Sequence, residues 1–163
     1  MSDRRSLRIS QQDRTGGRVM LWGQDRSKLR EMYSSAWRDF KAGKTLDKQT
    51  QMIAAVIAMH PEYQPDIESG AVLHREYDGS DGQSNPFLHM GMHLAIHEQL
   101  SIDRPPGIVA IHQQLSRRAG DEHQAEHQML EVLAQVLWDA QQAHREPDIE
   151  EYVEGLRRVV SVS

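Results

Sequence analysis

Residues 85–100 read NPFLHMGMHLAIHEQL, and this stretch decides the fold class. Asn85 followed by Pro86 predicts a helix start, because asparagine caps free backbone amides and proline is favoured at the first helical position. From Phe87 to about Leu100 the residues are apolar around most of the helix circumference. A helix of this kind is usually buried at the centre of a protein. We therefore predict a central, buried helix over this stretch.

Further helices are predicted upstream of it. Apolar residues at three- and four-residue spacing indicate a helix that Gly43 ends in a left-handed conformation. A second helix is predicted from about Asp47 to His60, where Pro61 ends it. Residues 61–84 hold three glycines among scattered charges and predict a loop with room for one short turn of helix. The stripe of the first helix comprises Leu29, Met32, Tyr33, Ala36, Trp37 and Phe40.

Three more helices are predicted downstream. A short helix ends near Gly120, the longest one begins after an Asp121 cap, and the last runs from about Asp148. No segment alternates between apolar and polar residues as a strand does. The sequence therefore predicts an all-α fold, a compact bundle of about five or six helices. The core stripe predicted for the longest helix comprises Leu130, Leu133, Ala134, Leu137 and Trp138.

The chain is predicted to have a tail and one domain. Residues 1–19 carry five arginines against two aspartates and show no periodic apolar face. They predict a disordered, flexible basic tail, with an arm that contacts nucleic acid or acidic lipid as the alternative. A single helical-bundle domain is predicted over residues 20–163, and Met20 is an alternative start.

Composition excludes several classes of protein. The 163 residues have a net charge of −5, which argues against general nucleic-acid binding. The longest uncharged apolar stretch, residues 52–59, is far shorter than the roughly 20 residues that a membrane-spanning helix needs. No cysteine is present, so thiolate metal sites and disulfides are excluded. We expect a small bacterial protein in the cytoplasm and leave homodimerisation open.

Histidines carry the chemistry that the sequence suggests. His89, His93 and His97 recur every four residues, so neighbours lie on one face of the predicted central helix. A second row, on the longest helix, contains His123, Glu126, His127 and Glu131. Imidazole and carboxylate groups are suitable ligands for zinc, iron, manganese or nickel. The predicted metal ligands are His60, His89, His93, Glu126, His127 and Glu131.

The same residues have a second interpretation. Buried histidines are often hydrogen-bonded to carboxylates, so the rows also fit a structural network in a non-catalytic interaction or assembly module. The Glu-x-x-His pairs of ferritin-like di-iron proteins and the His-Glu-x-x-His motif of zinc proteases are absent. The sequence does not decide whether the protein is an enzyme. The remaining histidines, His74, His112 and His144, are predicted to be surface or loop residues.

The segment Asp103-Arg104-Pro105 also stands out. It predicts a turn stabilised by an ion pair, with a substrate-binding arginine as the alternative.

A family resemblance rests on several of these segments in combination. Over roughly residues 20–160 the chain resembles the bacterial family called domain of unknown function 1841. The resemblance implies no established activity. It points to His60, His89, His93, Glu126 and His127 as the polar positions that carry the family's motifs. The segments are His60-Pro61-Glu62-Tyr63, Asn85 to His89, His93 to Ile96, Asp103-Arg104-Pro105 with Gly107-Ile108, and Ala125 to Glu131 with Trp138.

Overall fold

The structure, a computed structural model, describes residues 26–70 and 85–162. Within these ranges the chain forms seven α-helices and no strand, which confirms the all-α prediction. None of these helices combines the length and the apolarity that crossing a bilayer requires. The helices are α1 (Arg26–Lys41), α2 (Lys48–Ala58), α3 (Gln64–Ser69), α4 (Pro86–Ile102), α5 (Ile108–Ala119), α6 (Glu122–Gln142) and α7 (Ile149–Val162).

Part of the predicted loop is helical. A 3₁₀ turn, Pro61–Tyr63, follows α2 and leads directly into the short helix α3. The glutamate Glu68 ties α3 to α1, since its Oε1 accepts hydrogen bonds from the Trp37 indole at 3.0 Å and from Lys41 Nζ at 2.7 Å. The rest of the predicted loop, residues 71–84, and the predicted tail, residues 1–19, lie outside the described residues.

Local sequence signals set the helix ends. The Asn85 side chain accepts hydrogen bonds from the amides of Phe87 at 3.0 Å and Leu88 at 3.4 Å, so the predicted cap of α4 is confirmed. Asp121 caps α6 in the same way, through the His123 amide. Gly43, just after α1, has φ +71°, a left-handed conformation that glycine adopts without a steric penalty.

We expect Asn85→Ala to lower the free energy of unfolding by about 1 kcal/mol, because the first amides of α4 lose their acceptor. Urea titration of the two proteins measures this difference. Metal content should not change, since the Asn85 side chain bonds only to the amides of Phe87 and Leu88, and the backbone carbonyl that accepts from the His89 amide is kept in the variant. A midpoint in urea equal to that of the wild type would contradict the assigned start of α4.

The helices enclose two apolar cores that share α4. The first core lies between α1, α2, α3 and the start of α4, and includes Tyr33, Ile57 and Met90. The second lies between the end of α4 and helices α5, α6 and α7, and includes Ile96 and Met129. Because α4 contributes to both cores, the prediction of a central helix is confirmed. The buried polar side chains of the described residues are His60, His93 and Glu126.

Four residues of the apolar stripes predicted for α1 and α6 are exposed: Met32, Phe40, Ala134 and Trp138. The Trp138 side chain is 58% exposed, so the prediction that it lies in the core is wrong. Val136 and Ala140 form the buried face of this part of α6, and two residues of helix turn Trp138 about 200° away from Val136. Phe40, at the end of α1, is 48% exposed and stacks on the Trp37 ring with centroids 5.4 Å apart. It covers the buried Trp37 from outside.

Candidate metal centre

Five imidazoles meet where α2, α4 and α6 approach one another. His60 is placed by the end of α2, because Pro61 stops that helix and starts the 3₁₀ turn. The other four come from one pair on α4 and one pair on the first turns of α6, each pair four residues apart and therefore on one helix face. We call the five residues the histidine cluster: His60, His89, His93, His123 and His127.

Nitrogen atoms of the cluster lie close together. One nitrogen from each of four side chains lies within 4.8 Å of the others, and these four are His60, His93, His123 and His127. The fifth, His89, lies against two of them: its Nε2 is 3.2 Å from Nε2 of His60 and 3.1 Å from Nε2 of His93. The cluster therefore has a common centre that several lone pairs can reach.

Hydrogen bonds outside the cluster determine which nitrogens carry protons. Nδ1 of His60 lies 2.7 Å from the Val56 carbonyl oxygen, so this nitrogen is the donor and Nε2 of neutral His60 has a lone pair. Nδ1 of His93 lies 2.7 Å from a carboxylate oxygen of Glu126, so the same holds for neutral His93. Of the three adjacent Nε2 atoms, only that of His89 can then carry a proton. One proton cannot satisfy two acceptors well.

The distances between these nitrogens fit ligands of one ion. Two neighbouring nitrogens that each lie about 2.1 Å from a metal are separated by about 3.0 Å in octahedral and about 3.4 Å in tetrahedral coordination. The two Nε2 separations at His89, 3.2 and 3.1 Å, fall between these values.

Two further nitrogens of the cluster have no hydrogen-bond partner among the described residues. They are Nδ1 of His123 and Nε2 of His127, and both atoms are buried. Buried polar atoms are nearly always hydrogen-bonded or bound to an ion or to water, because leaving them unpaired is costly. The two unpaired atoms lie on neighbouring turns of α6, and both belong to the histidine cluster.

Glu126 is hydrogen-bonded to one histidine of the cluster, His93, and to His97 outside it. One of its carboxylate oxygens accepts from His93 Nδ1 at 2.7 Å, and the other accepts from His97 Nε2 at 2.8 Å. The Glu126 and His93 side chains are 7% and 0% exposed, whereas that of His97 is 20% exposed. A carboxylate that holds the second nitrogen of a ligating imidazole is a common feature of metal sites, where it fixes the ring and its tautomer.

Burial favours the neutral form of three histidines of the cluster, His60, His89 and His127. Loss of solvation lowers the pKa of His60, His89 and His127, and neighbouring histidines lower the pKa of His89 further, to about 4. Burial raises the pKa of Glu126, but hydrogen bonds from His93 and His97 and their charges outweigh it and bring that pKa to about 2. At neutral pH the site therefore combines the uncharged imidazoles of His60, His89 and His127, which are competent ligands, with one ionised carboxylate.

In metal-free protein, kept in chelator, we expect the free energy of unfolding to fall as the pH is lowered from about 6.5 to about 4. Histidines of the unfolded chain take up protons near pH 6.5, whereas His60, His89 and His127 resist protonation in the folded state. The unfolded state therefore binds more protons in this window and is favoured. Urea titrations at several pH values measure the slope. A His89→Asn variant should show a shallower slope, and an equal one would contradict the assignment.

The structure brings together most, but not all, of the predicted ligands. His60, His89, His93 and His127 lie in the cluster, and Glu126 lies directly behind it. Glu131 does not join them: its side chain is exposed and lines a surface groove between α6 and α7 with Arg158. The predicted ligand set also omitted two residues of the site, His97 and His123.

His123 was missing from the predicted ligand set although its spacing of four from His127 was visible, and His97 was missing as the partner of Glu126. The prediction of surface or loop positions for the other three histidines has a mixed outcome. His144 is exposed. His112 is half-buried, and its Nε2 is buried without a partner among the described residues. His74 lies outside the described residues.

Fold and cluster together define an all-α protein with a histidine-rich centre between two apolar cores. The chain matches the model of the family described as Domain of unknown function (DUF1841) over residues 25–158, and it belongs to that family. The comparison with curated proteins gave no match, and the comparison with solved structures gave none either.

Proposed function

We propose that the protein binds one divalent transition-metal ion in the histidine cluster. The observation that carries this proposal is the meeting of three Nε2 atoms, from His60, His89 and His93, with only one position among them for a proton. A metal ion satisfies all three lone pairs at once. It also provides the partner that the buried nitrogens of His123 and His127 lack.

The donor set narrows the choice of metal. All five candidate ligand groups are imidazoles, and imidazole suits zinc, iron, nickel and copper, whereas manganese prefers carboxylate and other oxygen ligands. Among the four metals predicted from the sequence, we therefore favour zinc, iron and nickel over manganese. Magnesium and calcium are disfavoured for the same reason, since both require oxygen ligands.

Glu126 has a supporting role in this proposal. Both of its carboxylate oxygens accept hydrogen bonds from histidines, so the group is engaged in orienting His93 and is not a free general base. Glu131 is exposed and lines the surface groove between α6 and α7, so it is not a base for this site either. We therefore propose metal binding as the function, and a bound ion would supply Lewis-acid chemistry to any substrate that reaches it.

The alternative is a purely structural hydrogen-bond network in an interaction module. The buried chain from His93 through Glu126 to His97 favours it, because these three groups satisfy one another without a metal. This interpretation leaves the buried nitrogens of His123 and His127 unpaired, and it places three Nε2 atoms together with too few protons. Metal binding accounts for more of the site.

The test is the metal content of protein purified without a histidine tag after growth in metal-replete medium. We expect about one transition-metal ion per chain by mass spectrometry of the elements. The double variant His89→Ala/His127→Ala should contain almost none, and it should still fold because both side chains are only half-buried.

The matched control is His144→Asn. His144 is exposed, lies outside the cluster and has φ +51°, a conformation that asparagine tolerates. The control should retain the full metal content of the wild type. Wild-type protein without metal would overturn the proposal and leave the hydrogen-bond network as the better interpretation.

A further inference from the structure

A cavity lies at the C-terminal end of α4, whereas His89 and His93 lie in the first half of that helix. The cavity shares no residue with the histidine cluster. It has a volume of about 410 Å³ and lies between the end of α4, the turn after it, α6 and the start of α7. This volume is within the range of small-molecule pockets, which are mostly apolar with a few polar groups. The apolar wall consists of Pro105, Pro106, Leu133, Val136, Pro147 and Ile149.

The polar groups of this cavity leave hydrogen-bond donors available. The Tyr152 hydroxyl is kept protonated because burial raises its pKa, and it donates to Gln99 Oε1 at 2.9 Å. The Gln99 oxygen is therefore engaged, and the amide nitrogen of the same side chain remains as a donor. Asp148 is also engaged, since its carboxylate caps α7 by accepting from the Glu150 amide at 2.8 Å.

Arg104 is the charged group of the cavity. Its neighbour Asp103 was predicted to form an ion pair in this turn, but the structure contradicts that prediction. The Asp103 carboxylate instead accepts from the backbone amides of Gly107 at 3.3 Å and Val109 at 3.1 Å. Among the described residues, the Arg104 guanidinium has neither a carboxylate partner nor a hydrogen-bond partner, and it lines the cavity with five donors free.

One residue of the apolar wall, Ile149, is exposed to solvent. Ile149, at the start of α7, is 66% exposed, although it lies one turn before the buried Tyr152 of the same helix. A large apolar side chain at the rim of an apolar cavity would gain from burial against a bound molecule.

We propose that this cavity binds a small amphiphilic carboxylate. The carboxylate group pairs with the Arg104 guanidinium and accepts from the Gln99 amide, and the apolar body lies against Leu133, Val136 and Ile149. Arginine and carboxylate form paired, charge-assisted hydrogen bonds, which give orientation as well as affinity. The tyrosine–glutamine pair fixes the amide so that its nitrogen is presented to the ligand.

Octanoate, with octanol as the neutral probe of equal chain length, tests the proposal by isothermal titration calorimetry. We expect octanoate to saturate one site per chain and octanol to bind at least about 10-fold more weakly, because hydrogen bonds to charged groups contribute more than neutral ones. Arg104→Gln should weaken octanoate binding by at least about 10-fold and leave octanol binding unchanged. Ile149→Glu should abolish octanoate binding by placing a second carboxylate at the rim.

Arg117→Gln is the control, since Arg117 is an exposed arginine on α5 that does not line the cavity. It should bind octanoate as the wild type does. Both test positions are exposed, so the variants should keep the thermal midpoint of the wild type. No saturable binding of octanoate below about 5 mM, equal binding of octanol, or unchanged binding by Arg104→Gln would each overturn the proposal.

Discussion

Removing the proposed metal ion is expected to lower the thermal midpoint of unfolding by about 10 °C. A ligand that binds only the folded state stabilises it by about 4 kcal/mol when its concentration is about 1,000 times its dissociation constant. For a chain of this length, each kcal/mol corresponds to roughly 2 to 4 °C. The unfolded chain cannot hold five imidazoles from three separate segments near one point, so a metal ion held by the cluster would bind preferentially to the folded state.

Differential scanning calorimetry with and without a strong chelator measures this shift. Adding zinc after the chelator is removed should restore the midpoint. The double variant His89→Ala/His127→Ala should unfold at the same temperature with and without chelator, whereas the His144→Asn control should lose as much as the wild type. If the wild type did not respond to chelator, the hydrogen-bond network would account for the cluster, and His93→Ala would still destabilise the protein by leaving one buried carboxylate oxygen of Glu126 without its donor.

The fold could be predicted from the sequence because its signals are local. Asn85 and Asp121 cap the helices they precede, and Gly43 takes a left-handed conformation after α1, so each boundary depends on a few neighbouring residues. The exposed Trp138 shows where this approach fails. Periodicity identifies an apolar stripe, but the width of the stripe that becomes buried depends on how α5 and α7 lie against α6, which is a tertiary property.

The sequence predicted only part of the candidate site, because helix periodicity shows which residues share a face but not which of them meet in the folded protein. Each step of four residues advances about 6 Å along a helix and about 40° around it, so the first and third members of a row are about 12 Å apart. Only two members of a row can therefore reach one ion. On α4 these are His89 and His93, and the third member, His97, contacts Glu126 instead. On α6 they are His123 and His127, and Glu131 is left out.

Which two members of each row meet depends on the level at which the helices cross. Spacing of four is equally good between His127 and Glu131 as between His123 and His127, and the sequence alone cannot choose. The first turns of α6 lie beside the middle of α4, so the earlier pair faces the cluster. The role of Glu126 was open for a similar reason: a carboxylate one position before a ligand can bind the metal or hold a neighbouring imidazole, and only the helix packing decides.

Glu126→Gln is expected to weaken metal affinity by about 10- to 100-fold, the usual cost of changing a group that orients a ligand. The carboxylate strengthens the hydrogen bond from His93 Nδ1 and makes Nε2 a better donor to the metal. Glutamine keeps the shape and offers one oxygen to His93, while its NH₂ group faces His97, which can accept by changing its tautomer. The fold should therefore lose only about 1 kcal/mol, and the affinity should fall much further than the stability suggests.

Glu126→Leu separates orientation from stability. Leucine leaves His93 Nδ1 buried without an acceptor, so we expect the free energy of unfolding in chelator to fall by about 3 kcal/mol. Glu131→Gln is the matched control on the same helix, because Glu131 is exposed and away from the cluster, and it should change neither quantity. Competition titration with a chromogenic chelator measures affinity, and urea titration measures stability. Equal affinities for the wild type and Glu126→Gln would contradict the orienting role, since the carboxylate would then stabilise the helices α4 and α6 without acting on the ion.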